Sequence, residues 1–106
     1  MRLQTLDSKL QTRKIYLEIV SPEATLFSGE VTSVTVPGLN GDFEMLNNHA
    51  PIVSILKEGT VKITGNIELD EAVEDRFTKG DKNTTLLSIN SGTIEMKDNK
   101  VIVLAD

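Results

Sequence analysis

The chain has 106 residues, of which 39% are hydrophobic, 25% charged and 4% aromatic, with a net charge of −5 and no cysteine. That is the length of one domain with a modest core, and the balance is neither that of a disordered chain nor that of a membrane-spanning one. It removes disulfides, thiolate chemistry and Cys-based metal sites, and it argues against nucleic acid or anionic lipid as the main partner, because both need clustered Lys and Arg.

Residues 1–14 are polar with scattered basic residues and read as a flexible, solvated arm with no signal-peptide pattern. From Ile15 the pattern becomes β. Ile15, Leu17 and Ile19 share one face of a strand that Ser21-Pro22-Glu23 interrupts. Thr25–Phe27, a Ser28-Gly29 turn, and a β-rich run from Glu30 to Val36 follow, closed by Pro37-Gly38. Leu39-Asn40-Gly41-Asp42 has turn composition, Phe43–Leu46 reads as a short strand, and Asn47-Asn48 as another turn. Pro51–Leu56 is apolar on both faces, which predicts a central or doubly packed strand.

Thr60–Leu69 alternates, with Val61, Ile63, Ile67 and Leu69 on one side. Residues 68–84, acidic and then polar around Gly80, read as an extended hairpin or loop insertion. Thr85–Ile89, Thr93–Lys97 and Lys100–Ala105 complete the chain, separated by Asn90-Ser91-Gly92 and Asp98-Asn99. Short strands at this spacing predict an all-β domain over 15–106, a flattened β-sandwich or barrel.

Residues capable of chemistry are few. His49 is the only histidine, and it lacks both a nucleophile motif and a second metal ligand at suitable spacing, so it reads as a structural turn residue hydrogen-bonded through one ring nitrogen. Glu68, Asp70, Glu71, Glu74 and Asp75 do not follow the spacing of a calcium loop and read as a solvated edge. Asn83-Thr84-Thr85 fits a glycosylation triplet, discounted in the absence of a secretion signal. No nucleotide fingerprint is present in Pro37–Gly41. Phe43, Met45 and Leu46, with Ala50–Val53 after them, read equally as core or as a contact patch.

Four segments carry a resemblance: Val20-Ser21-Pro22-Glu23; Leu26 to Val31; Gly41-Asp42-Phe43-Glu44-Met45-Leu46-Asn47-Asn48-His49-Ala50-Pro51; and Asn90 to Met96 with Asn99 to Asp106. In their order and spacing they resemble the epsilon subunit of the rotary F-type ATP synthase, called delta in mitochondria. The resemblance implies the N-terminal domain of that family, a flattened β-sandwich of about ten strands. It implies a non-catalytic rotor subunit of the central stalk, on the cytoplasmic face of a bacterial inner membrane or the equivalent organelle face. Such a subunit couples the gamma subunit to the membrane c-ring without entering the bilayer, in a proton- or sodium-driven enzyme.

By position, Asn40, Gly41, Asp42, Phe43 and Glu44 would face the c-ring, and Ser21 and His49 the gamma subunit. Asp42 stands where the family usually has Glu, Glu44 where it commonly has Gly, and Asn47-Asn48 where it commonly has Pro-Gly. Nothing follows Asp106 in this sequence. The helical C-terminal hairpin of longer members, with its ATP motif, is therefore not expected, and neither is nucleotide binding. No cofactor or metal is expected. The competing readings are a free-standing β-sandwich that binds a ligand and a small carboxylate hydrolase, for which no motif exists.

Overall fold

The computed structural model describes residues 14–106; the N-terminal arm, save Lys14, lies outside the described residues. Ten strands run in chain order: β1 (Ile15–Val20), β2 (Thr25–Val31), β3 (Ser33–Gly38), β4 (Gly41–Met45), β5 (Ile52–Leu56), β6 (Gly59–Thr64), β7 (Phe77–Lys79), β8 (Thr84–Ile89), β9 (Gly92–Lys97) and β10 (Lys100–Ala105). They form an all-β, flattened sandwich. Among the described residues the only helical piece is one 3₁₀ turn, Glu74–Arg76, ahead of β7.

The strands make one continuous sheet folded over on itself. One limb has the order β2-β1-β10-β9-β5 and the other β3-β6-β8-β7, with β4 beside β3. The limbs meet at a single pairing, Gly38 opposite Leu56, reinforced by the Lys57 N–H donating to the Pro37 carbonyl at 2.9 Å. All pairings are antiparallel except β1 with β10, which run parallel from Tyr16↔Lys100 to Val20↔Leu104.

The two-residue period decides which side chains face inward. Leu17, Ile19, Ile94, Met96, Val101 and Val103 of one limb meet Val34, Val36, Met45, Val61, Ile63 and Leu87 of the other, all almost fully buried. Each such side chain contributes roughly 1.5–3 kcal/mol by leaving water. Residues 65–73 add a partial cover, with Ile67, Leu69 and Val73 half-buried against the core.

Several expected boundaries shift, each for a local reason. Ser28-Gly29 is not a turn. Both residues lie inside β2, opposite Glu18 and Leu17, and the chain breaks at Thr32 instead. A side chain at Gly29 would crowd the Phe27 ring, its Cβ lying 3.1 Å from Phe27 Cζ, so the glycine gives that ring room. Pro37-Gly38 does close β3, as expected, and the turn that follows is confined to Leu39-Asn40, with Gly41 and Asp42 already in β4. The alternating run from Thr60 leaves the ladder at Thr64, so Ile67 and Leu69 pack without strand pairing. Pro51–Leu56 is central in the sheet order but not packed on both sides: Val53 is 77% exposed and Ile55 59%.

Two substitutions test this architecture. Gly92 pairs with Ala105, and a Cβ there would stand 2.3 Å from the Leu104 carbonyl oxygen. Gly92→Ala is expected to cost about 1–3 kcal/mol or more in urea unfolding, because backbone cannot yield as a side chain does. Asp98 and Asn99 turn β9 into β10 with φ of 54° and 62°, and Asn99 Oδ1 accepts the Asn48 N–H at 2.6 Å. Asn99→Ala is expected to lose roughly 1–2 kcal/mol from the left-handed backbone alone, read as a lower melting temperature.

Candidate functional site

The β3–β4 hairpin carries the first group of predicted site residues. Gly41 takes φ 121°, which spares Leu39 and Asn40 from positive φ and lets the two strands close over a tight turn. Asp42 lies opposite Pro37 and Glu44 opposite Thr35, both exposed, while Phe43 between them is half-buried against the core. The five residues Asn40 to Glu44 are thus together in space, but they do not share a face. The carboxylates of Asp42 and Glu44 point outward, and Phe43 anchors the hairpin. Glu44 sits in regular ladder with φ in the ordinary negative range, so it requires no special backbone. Asn48 takes the left-handed conformation, φ 65°, that its turn needs.

Ser21 and His49 are not brought together. Ser21 follows the end of β1, level with Ala105 and Gly92 at the end of the limb where the β3–β4 hairpin also emerges. It is 7% exposed, and its hydroxyl donates to the Ala24 carbonyl at 3.1 Å and accepts the Ala24 N–H at 3.3 Å, closing the β1–β2 turn. His49 lies at the opposite end, beside Asn48, Pro51, Asp98 and Asn99. Its ring Nδ1 is 2.7 Å from the Ala50 carbonyl, the one-nitrogen hydrogen bond expected of a structural turn histidine. The two ends are separated by the length of β10, roughly 17 Å.

Of a third feature, the outer face of the limb β5-β9-β10-β1, sequence reasoning singled out only Val53, in the segment that read equally as core or as a contact patch. Its cross-strand rows follow from the register. The row nearest Ser21 reads Ile55, Thr93, Leu104, Val20; the next reads Val53, Glu95, Ile102, Glu18; the row nearest His49 reads Lys97, Lys100, Tyr16. Val53, Ile55 and Leu104 are more than half exposed, with Ile102 and Val20 half-buried between them. Lys100 rests 5.8 Å over the Tyr16 ring. The outer face of the other limb differs: Glu44, Thr35, Lys62 and Thr78 lie on one of its rows, with Leu86 half-buried among them. Exposed aliphatic side chains thus gather on one sheet face only, on either side of Thr93 and Glu95, a clustering that suits a contact surface. The signal was in the sequence, since a run that is apolar on both faces needs cover on both, and no second layer follows Pro51–Leu56.

Among the described residues no group of three or more His, Asp or Glu side chains is placed to hold a metal ion. Glu68, Asp70, Glu71, Glu74 and Asp75 are all exposed. Thr85 of the glycosylation triplet is 4% exposed, paired with Ile63 within the sheet. No described helix is long and apolar enough to cross a membrane.

Comparison with known proteins gives concordant results. Residues 14–106 match the family model of the ATP synthase delta/epsilon chain beta-sandwich domain. The ATP synthase epsilon chain of Campylobacter curvus is 39% identical over 93 residues, covering 88% of this chain and 61% of that one. The epsilon chain of Chlorobium limicola is 39% identical over 90 residues, covering 85% and 86%. This chain therefore spans about three fifths of the length of the Campylobacter relative. Among solved structures, a chain of the Euglena gracilis mitochondrial ATP synthase OSCP/F1/c-ring assembly superposes with a TM-score of 0.67 at 17% identity, over 88% of this chain and 51% of that one, which speaks to the fold alone. A chain of the Tetrahymena thermophila mitochondrial ATP synthase central stalk/c-ring assembly does so with a TM-score of 0.60 at 14% identity. On the match across its whole described length, the chain belongs to the delta/epsilon beta-sandwich family of ATP synthase chains.

Proposed function

We propose that the chain is a non-catalytic central-stalk subunit of a rotary ATP synthase, holding the gamma subunit to the c-ring. The observation that carries this reading is the aliphatic face of exposed Val53, Ile55 and Leu104 with half-buried Ile102, in the same domain as a hairpin that exposes two carboxylates. The two surfaces differ in kind, and each suits a different partner. The aliphatic face fits a long-lived interface, where apolar burial supplies the affinity. The β3–β4 hairpin, with Asp42 near its turn and Glu44 further along β4 both exposed, fits polar loops of a membrane ring, where charge sets register more than strength.

On this reading the gamma subunit lies along β10, over the aliphatic rows, with Ser21 and His49 at the two ends of its footprint. Asn40 to Glu44 meet the c-ring. The subunit is peripheral on the cytoplasmic face of a bacterial inner membrane, or on the equivalent organelle face, and its work is to transmit torque. The domain needs neither cofactor nor bound nucleotide for that work.

Gentle, low-salt extraction of the native protein is expected to bring gamma and c-ring subunits with it, identified by mass spectrometry; their absence would sink the proposal. Ile55→Asp with Leu104→Asp is expected to lose gamma from that preparation while leaving the melting temperature nearly unchanged, since both side chains are exposed. Replacing Asp42 and Glu44 together by Lys is expected to lower ATP synthesis per ion translocated in membrane vesicles. Unchanged coupling would refute the role given to the hairpin.

A further inference from the structure

The aliphatic face is interrupted by two negative charges. Glu95 on β9 lies directly between Val53 and Ile102, and Glu18 on β1 lies directly between Ile102 and Ser28. Glu18 is half-buried and Glu95 exposed. Neither carboxylate has an ion-pair partner among the described residues. The lysines of the next row do not neutralise them, and Lys100 is engaged over the Tyr16 ring. The two glutamates are two strand spacings apart, ~10 Å. Parallel to them runs the apolar row of Ile55, Leu104 and Val20, whose first two members are also two strands apart.

A partner that covers Val53, Ile55, Ile102 and Leu104 necessarily covers Glu95, which has aliphatic neighbours on both sides. Stripping water from a carboxylate is unfavourable unless an opposite charge and hydrogen-bond donors replace it. A purely aliphatic partner would therefore be opposed by this face. So would an acidic one, since like charges set against each other across an interface are strongly disfavoured.

Resting on the reading that this face docks the shaft subunit, we propose that the docking surface of the partner is an aliphatic strip bordered by two basic side chains. The strip lies on Ile55, Leu104 and Val20. The two Lys or Arg groups, ~10 Å apart, meet Glu95 and Glu18. Arginine suits both positions best, because its planar fork satisfies a carboxylate with two parallel hydrogen bonds. The aliphatic row supplies affinity, and the glutamate pair fixes which way along β10 the partner lies and rejects apolar surfaces that would otherwise adhere.

The test is equilibrium binding of the chain to its purified gamma subunit over a range of salt concentrations, for the wild type, E18Q/E95Q and Ile55→Asp. Thermal unfolding of each variant verifies its fold. E18Q/E95Q is expected to bind about tenfold more weakly at low salt and to show a flatter salt dependence, whereas Ile55→Asp abolishes binding at every salt concentration. Wild-type affinity and salt dependence in E18Q/E95Q, with binding still lost in Ile55→Asp, would overturn the basic-pair proposal and leave the docking face standing. Wild-type binding by Ile55→Asp would remove the docking face itself, and the proposal with it.

Discussion

The parallel pairing of β1 with β10 is the constraint on which the rest of the domain depends. It joins the first described strand to the last, and it is the one parallel ladder in an otherwise antiparallel sheet. Because β10 also carries β9, and β9 carries β5, the pairing assembles the whole limb whose outer face bears the exposed aliphatic rows. Within this limb β1 and β2, and β9 and β10, are joined by short turns, whereas β6, β7 and β8 intervene in the chain between β5 and β9. Closing β1 on β10 instead orders the entire chain between them, an entropic cost that grows slowly with loop length but must be met before the pairing yields anything. The inward rows Leu17, Ile19, Val101 and Val103 offset it by burying completely.

Much of this was legible from alternation alone. Ile15, Leu17 and Ile19 announced an inward face, and the Asp98-Asn99 dipeptide announced a hairpin of the kind that requires two left-handed residues. What alternation cannot supply is partner choice. The strands β1, β9 and β10 have the same inward-outward pattern, so nothing local says that β10 takes β1 on one side and β9 on the other. Ser28-Gly29 misled because turn composition and a need for space produce the same residue type: Gly29 is there for the Phe27 ring, not for a change of direction.

The site was legible in parts. Positional resemblance singled out the Asn40–Glu44 segment as a candidate, and the structure divides it into an anchor, Phe43, and two outward carboxylates. Ser21 and His49 were grouped because the resemblance assigns both to one partner, yet they lie at opposite ends of the limb, each hydrogen-bonded within its own turn. Beyond Val53, the aliphatic face went unnoticed because an apolar outer row resembles core in a linear string. Only the register, which sets Ile55, Thr93, Leu104 and Val20 side by side, turns four scattered residues into a surface.

The seam between the limbs has a mechanical consequence. The carboxylate hairpin belongs to one limb and the aliphatic face to the other, and the backbone ladder bridges them only at Gly38 and Leu56, with one further hydrogen bond at Lys57. A shear applied between hairpin and face cannot travel mainly through hydrogen bonds, because at that line there are almost none. It must pass through the interdigitated side chains of Val34, Val36, Met45, Ile94 and Met96, whose close packing yields little to compression. The stiffness of this domain as a connecting piece is therefore set by how well its interior is filled. A cavity at Met45 or Met96 would soften the linkage between the two surfaces without altering a residue on either one.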